Sequence, residues 1–372
     1  MNPQITVIRE VGPFLELEKE WDRMVADRFD GHPLFCHFWF ANYRQAYFPK
    51  APLYVLTAHR QGELVGAMPM ILGRRRMGGI PLKEARLTAG DHSPLNRILV
   101  ATGDDAIMTG FLETLLKEGV DLIYIEDVPD LYPKRRWMEE FCRDHRLGLE
   151  CRSVRQSPFI PTVGSFDEYR KRLSKKFREI LNNRLNKINR AGGFEIRMFN
   201  RTGDVEAAVE QMEIISRGSW QGQNGTGLFS GEKNRLFYTG LITHALTHGY
   251  GRVAILLFDQ QPAAFEFHVF HGRTEYCLKG EYAQAYNAVA PGAVLDLELV
   301  KQAFASEVEV YDLMGYTDSY KLRWTEQTTP YFRYFIFNRS AAGRTAHAVY
   351  FKFGDRIRRL KRAAKDIFGP TK

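Results

Sequence analysis

Apolar and polar positions along the chain switch repeatedly between a helical period and short strand-like runs. Helical spacing covers 13–29 and 38–47. Strands are predicted at 53–58 and 64–71, with Gln61-Gly62-Glu63 as the turn between them. The run Gly73-Arg74-Arg75-Arg76-Met77-Gly78-Gly79 is too basic and glycine-rich for an element interior and reads as a loop. A helix at 105–118, a strand at 122–127 and a helix at 134–145 follow. The pattern breaks at Gln156-Ser157-Pro158, which reads as a boundary between two halves. Beyond it lies a basic helix over 166–190. Phe177, Leu181, Leu185 and Ile188 form its apolar face, and between Arg170 and Arg190 nine Lys or Arg against the single acid Glu179 form a cationic stripe. The second half then predicts a strand at 194–199, helices at 204–219 and 233–247, and strands at 253–258, 263–270 and 275–280. A helix at 292–305 and strands at 308–313 and 331–337 complete the order β-α-α-β-β-β-α-β-β. A last amphipathic helix, 344–368, sets Phe353, Ile357, Leu360, Ala364 and Ile367 against Arg356, Arg358, Arg359, Lys361, Arg362 and Lys365. Such a helix either caps a domain or lies on an anionic membrane surface.

Alternating strands and helices imply an α/β layer architecture, and 372 residues exceed one ordinary core. Hydrophobic content of 44% and charged content of 26% are those of a soluble globular chain. No run approaches the roughly 18 apolar residues of a membrane span. The start, Met1-Asn2-Pro3-Gln4-Ile5-Thr6-Val7-Ile8, reads as a strand and not as a signal peptide, so a cytoplasmic protein is expected. Cys36, Cys142, Cys151 and Cys277 show no paired spacing, which favours reduced thiols over a zinc site or disulfides; no metal is expected. The formal charge of +8 implies an anionic partner: cofactor phosphates, nucleic acid or a membrane surface.

The most informative stretch runs from Glu275 to Trp324. Tyr282 ends a strand, and Pro291-Gly292-Ala293-Val294 opens a helix. Pro suits the first turn, Gly admits a close approach, and the free N–H groups and positive dipole end suit a pyrophosphate.

The element order matches the GNAT fold. Leu64-Val65-Gly66-Ala67-Met68-Pro69, Ser174-Lys175-Lys176-Phe177-Arg178, Leu278-Lys279-Gly280-Glu281-Tyr282, Pro291-Gly292, Tyr311-Asp312-Leu313-Met314-Gly315 and Tyr320-Lys321-Leu322-Arg323-Trp324 resemble the CelD/BcsL family of acetyltransferases, related to the tandem-GNAT FemAB/FemX peptidyltransferases. The usual GNAT loop, Gln/Arg-x-x-Gly-x-Gly/Ala, is not present in that form. The resemblance implies two GNAT-like α/β domains, each a mixed twisted sheet flanked by helices. They would be an acceptor-side domain at 1–156, the basic helix at 157–192, an acyl-CoA-binding domain at 193–340 and a basic helical tail at 341–372. It also implies an acyl-CoA-dependent N- or O-acyltransferase acting on a sugar or glycan precursor, with Tyr282, Pro291, Gly292, Ala293 and Val294 holding the cofactor.

Acyl transfer needs a base, an oxyanion stabiliser and an acid for the leaving group. Glu266 and His268, two apart on one strand, share a face, and either could serve as base. Asp312 lies inside an apolar strand, where an unpaired carboxylate is costly, so it is structural or functional. The resemblance places Lys321 at the reacting centre as oxyanion stabiliser, and Tyr316 or Tyr320 as the acid. Trp324 and Trp220 are candidate substrate contacts; Trp220 reads equally as a lid or as core. Gly90-Asp91-His92-Ser93-Pro94-Leu95-Asn96 is a turn or an acceptor site contacted by Asp91 and His92. Two other readings stay open: a FemX-like enzyme taking aminoacyl-tRNA, favoured by the basic helix, and a non-catalytic module recruiting a glycan synthase to the membrane through the tail.

Overall fold

The computed structural model describes residues 3–88, 95–129 and 134–354. Asp91, His92 and the tail beyond 354 lie outside the described residues. The chain forms two compact units. One comprises Met1–Phe29, Lys50–Val154 and Tyr331–Lys372, and the other Asp30–Pro49 and Arg155–Pro330.

In the first unit, strands pair in the order Gln4–Ile8, Leu53–Arg60, Glu63–Met77, Ile80–Leu87, Leu122–Pro129 and the 331–337 part of Thr328–Phe337. All pairings are antiparallel except Ile80–Leu87 with Leu122–Pro129. The Asp105–Lys117 helix buries Ile107, Met108, Phe111, Leu112 and Leu115 in the same core as Leu56, Met68 and Ile123.

The basic run around Arg75 is strand where a loop was expected. Glu63–Met77 continues through it and turns back at Gly78-Gly79, whose φ of 59° and 85° only glycine adopts freely. Arg75 is held inward by Glu84 at 2.9 Å and over the Tyr124 ring. The break expected at Gln156-Ser157-Pro158 is likewise strand, part of Gly148–Pro161, with Ser157 fully buried. Tyr331–Phe337 belongs to the first unit because it pairs with Leu122–Pro129, which differs from the expected 193–340 division.

In the second unit, the 159–161 end of Gly148–Pro161 pairs with Val310–Asp312, followed by Thr274–Tyr282, Gln261–His271, Gly251–Phe258 and Glu195–Phe199. The predicted order of strands and helices from 194 to 337 is observed, with one additional short α-helix, Trp220–Gln223, between the two predicted ones. The basic segment is two helices rather than one. Ser165 caps Phe166–Arg172 in a reciprocal box with Glu168, and Ser174 caps Lys175–Arg190 by accepting from the Phe177 N–H. The second helix buries Phe177, Leu181 and Ile188, as its spacing predicted, with Phe177 edge-on to Trp324 at 5.0 Å.

Candidate active site

The site begins with a parallel pairing that stops early. Thr274–Tyr282 pairs with Val310–Asp312 only through Thr274, Glu275 and Tyr276. Beyond that point the longer strand runs on to Tyr282, its other edge still zipped to Gln261–His271. The shorter strand leaves through Leu313 into a turn, where Met314 and Gly315 take φ of 50° and 69°. From there on the pairing between the two strands has a gap. Ala290, at φ 51°, sets up the second wall by directing the chain into the Pro291–Phe304 helix. Left-handed conformations at Met314 and Ala290, residues with a Cβ, are uphill and persist only where surrounding contacts enforce them.

Lys321 sits at this gap, 9% exposed, and its Nζ donates to the Met314 carbonyl at 2.7 Å. A Cβ on Gly315 would stand 3.1 Å from that Nζ, so the glycine supplies both the turn and the room. Burial lowers the Lys321 pKa against the opposing pull of Cys277, Asp318, Asp296 and Asp312. Asp312 Oδ1 accepts from the Met314 N–H at 2.8 Å and from the Ser157 hydroxyl at 3.4 Å. Burial raises its pKa to about 6, against those donors, Arg155 and Lys321. It is thus a carboxylate poised near neutrality, suited to taking a proton.

Glu266 and His268 do share a face, but it is an inner one. Their exposures are 4% and 0%. Glu266 Oε2 accepts from His268 Nε2 at 2.9 Å, Cys277 Sγ at 3.2 Å and the Tyr311 hydroxyl at 3.1 Å. Gly280, opposite Glu266 in the register, leaves room for its stem: a Cβ there would lie 3.1 Å from Glu266 Cγ. His268 Nδ1 lies 2.7 Å from Glu275 Oε1, and Glu275 is gripped by Arg252. Although burial opposes it, carboxylates on both sides raise the His268 pKa; the imidazolium in turn, also against burial, holds Glu266 below the usual carboxylate range. Enclosed between two anions, His268 cannot serve as a base, and Glu266, with Oε2 taken by three donors and its charge held by the imidazolium, is a poor one. The pair positions its neighbours. Glu266, His268 and Cys277 bring potential ligand atoms within 4.8 Å of one another. That donor set does not suit a metal, because both imidazole nitrogens face carboxylates and burial raises the Cys277 thiol pKa.

At the helix start, Pro291 is buried and Gly292 half-buried. A Cβ on Gly292 would lie 3.3 Å from the Tyr282 ring, so a glycine lets Tyr282 pack over the first turn. Ala293 is half-buried and Val294 buried; the Val294 N–H already donates to Ala290 at 3.3 Å, which removes it from the set of free donors. Two cations not singled out in the sequence lie here. Arg184 comes from the Lys175–Arg190 helix and Arg323 from the short turn after Lys321. The Arg184 pKa is lowered first by burial and then by Arg323, with Asp296 and Tyr282 opposing. Like charges held together beside a helix N-terminus are suited to an anion.

Asp296, one turn further along the helix, was also missed in the sequence. It lies against Glu266, and burial followed by the Glu266 charge raises its pKa well above the ordinary value. Tyr316 and Tyr320 are 55% and 43% exposed; burial and the charges of Asp296, Cys277 and Glu266 raise the Tyr320 pKa. Trp220 is 49% exposed at the head of a short helix, Trp220–Gln223, which rules out its core reading. Trp324 is 3% exposed, packed on Phe177, with its carbonyl accepting from the Tyr169 hydroxyl at 2.6 Å. That burial makes it a packing residue rather than the substrate contact expected.

Residues 175–322 match the family described as "Acetyltransferase (GNAT) domain". No curated protein matches the chain. FemX is similar at 12% identity and a TM-score of 0.55, covering 90% of this chain and 97% of its own. A conserved protein of unknown function from Bacteroides thetaiotaomicron gives 12% and 0.58, covering 90% and 100%. L-PGS from Bacillus licheniformis gives 10% and 0.54, covering 91% and 96%. At these identities the likeness is one of fold. Residues 175–322 thus match a GNAT acetyltransferase domain, and the chain as a whole shares the mixed α/β fold of these solved structures.

Proposed function

We propose that this domain transfers an acyl group from acyl-CoA to an amine or hydroxyl, at the gap beside Lys321. The observation that supports it most is the coincidence of three things. An early end to strand pairing leaves space, a glycine-opened helix start with Arg184 and Arg323 offers charge for a diphosphate, and Lys321 and Asp312 lie at the opening. In this reading the Asp312 carboxylate takes the acceptor's proton as the nucleophile attacks the acyl carbonyl. The Lys321 ammonium stabilises the oxyanion that forms. The sequence likeness to CelD/BcsL acetyltransferases supports an acceptor of sugar type. Trp220, exposed at the head of its short helix, and Asp91 and His92 remain candidate acceptor contacts. The tail from 344 remains a candidate for peripheral membrane contact. Among the described residues no helix is long and apolar enough to cross a membrane.

The test is release of free thiol from acetyl-CoA, with amino sugars and neutral sugars as acceptors. Activity is expected with at least one acceptor class and absence of thiol release with every acceptor and donor chain length would remove the reading. If Asp312 is the base, kcat/KM should rise as pH passes about 6. The sign follows from the raised pKa: below it the carboxyl carries the proton and cannot accept one. Asp312→Asn should abolish that limb along with most activity; a limb that survives the substitution contradicts the assignment.

The exposed basic face of Lys175–Arg190 supports a second reading, in which the acyl carrier is aminoacyl-tRNA. The two readings separate by salt. An RNA contact neutralising several phosphates weakens by about 10³-fold or more between 50 and 200 mM salt, whereas a single diphosphate responds mildly. Arg184→Glu is expected to raise KM for acetyl-CoA about 10-fold or more with little change in kcat, measured by initial rates. An unchanged KM would remove Arg184 from the carrier site.

A further inference from the structure

Beneath the gap, ionisable side chains alternate in sign. Arg252 grips Glu275, Glu275 faces His268 Nδ1 at 2.7 Å, and His268 Nε2 lies 2.9 Å from Glu266. Along these four members two cations balance two anions, so the chain is neutral before Asp296 is added. Glu266 Oε2 is taken by His268, Cys277 and Tyr311. Glu266 Oε1 is fully buried with no ordinary donor among the described residues, and Asp296 is a further group within hydrogen-bonding reach of Glu266. Two carboxyl groups make a hydrogen bond only when one of them carries a proton. Since His268 holds Glu266 as the anion, that proton resides on Asp296. At the far end of the chain, Arg252 and Glu275 line a cleft of about 190 Å³ with Arg273 and Gln302.

We propose that Asp296 is the proton donor to the departing carrier sulfur, with Glu266, His268 and Glu275 as positioning residues behind it. This rests on the acyl-transfer reading above. The acceptor nitrogen or oxygen bonds to the acyl carbon and its proton passes to Asp312. The carbon–sulfur bond breaks, its electron pair leaves on sulfur, and the sulfur takes the proton from Asp296. Solvent then removes the proton from Asp312 and returns one to Asp296, so the sum is acceptor plus thioester giving acylated acceptor plus thiol. Lys321 and Arg184, the cations facing Asp296 from the flanking elements, hold the transient carboxylate. Tyr320 also faces it, and its raised pKa keeps it a neutral hydroxyl beside the acid.

Two measurements on the full chain test this. Infrared spectra at pH 8 are expected to show the carbonyl stretch of a protonated carboxylic acid that shifts in D₂O, persists in Asp312→Asn and vanishes in the isosteric Asp296→Asn. In kinetics, Asp296→Asn should slow acetyl-CoA turnover about 10²-fold or more. It should leave an acetyl thioester of a nitrothiophenol, whose thiolate departs unprotonated, near the wild-type rate. A missing band, a band that survives Asp296→Asn, or equal losses on both donors would overturn the proposal. Failure of the wild type to release thiol from any acyl-CoA would instead remove the acyl-transfer reading, whatever the band shows, and this role with it.

Discussion

Lys321→Met is expected to lower turnover about 10²–10³-fold while changing carrier affinity only a few-fold. The reason is geometric. The Lys321 ammonium is fixed by the Met314 carbonyl in a buried position, where a developing oxyanion gains more from it than it would in water. Lys321→Arg should not rescue the activity. A guanidinium is larger than an ammonium, and Nζ already stands 3.1 Å from where a Cβ on Gly315 would lie. Steady-state kcat and KM, with circular dichroism to confirm the fold, check this. A rise in KM alone would make Lys321 a binding residue.

The largest stability effect is expected from His268→Ala. Removing one partner of a buried, hydrogen-bonded charge chain leaves uncompensated ions, here Glu266 and Glu275, at a cost of about 3–5 kcal/mol. Urea unfolding near pH 6 measures it, and a loss under about 1 kcal/mol would mean that the chain is not charged as described. The pH dependence has a definite sign. Flanking carboxylates raise the folded-state pKa of His268 above its unfolded value of about 6.5, so the folded state binds the proton more tightly. Its contribution is complete below about 6.5 and falls away as pH rises through the folded value. The gap between wild type and variant should therefore narrow toward alkaline pH.

Much of the second unit was legible because its elements are long and strongly periodic. The order of its elements and the glycine-opened helix follow from residue patterns, whereas Lys321 was singled out only through the resemblance. Where the reading failed, a polar residue had a partner distant in sequence. Arg75 looked like loop because Glu84 and Tyr124 were not visible beside it. Asp296 sits between Leu295 and Leu297 on a helix and reads as one solvent-facing acid until Glu266 is placed against it. Arg184 disappeared into a basic stripe, and its neighbour Arg323 lies far away in the sequence. His268 illustrates the converse error. A histidine beside a glutamate reads as a base, and only the third partner, Glu275, turns it into a fixed cation.

Calorimetric titration with acetyl-CoA tests most directly the claim that a phosphate-bearing thioester is held at the 291 helix start. We expect saturable one-to-one binding that weakens at least 10-fold in the Arg184→Glu, Arg323→Glu double variant and persists in Lys321→Met. Absence of binding heat from the wild type across temperatures, or equal affinity in the double variant, would contradict it.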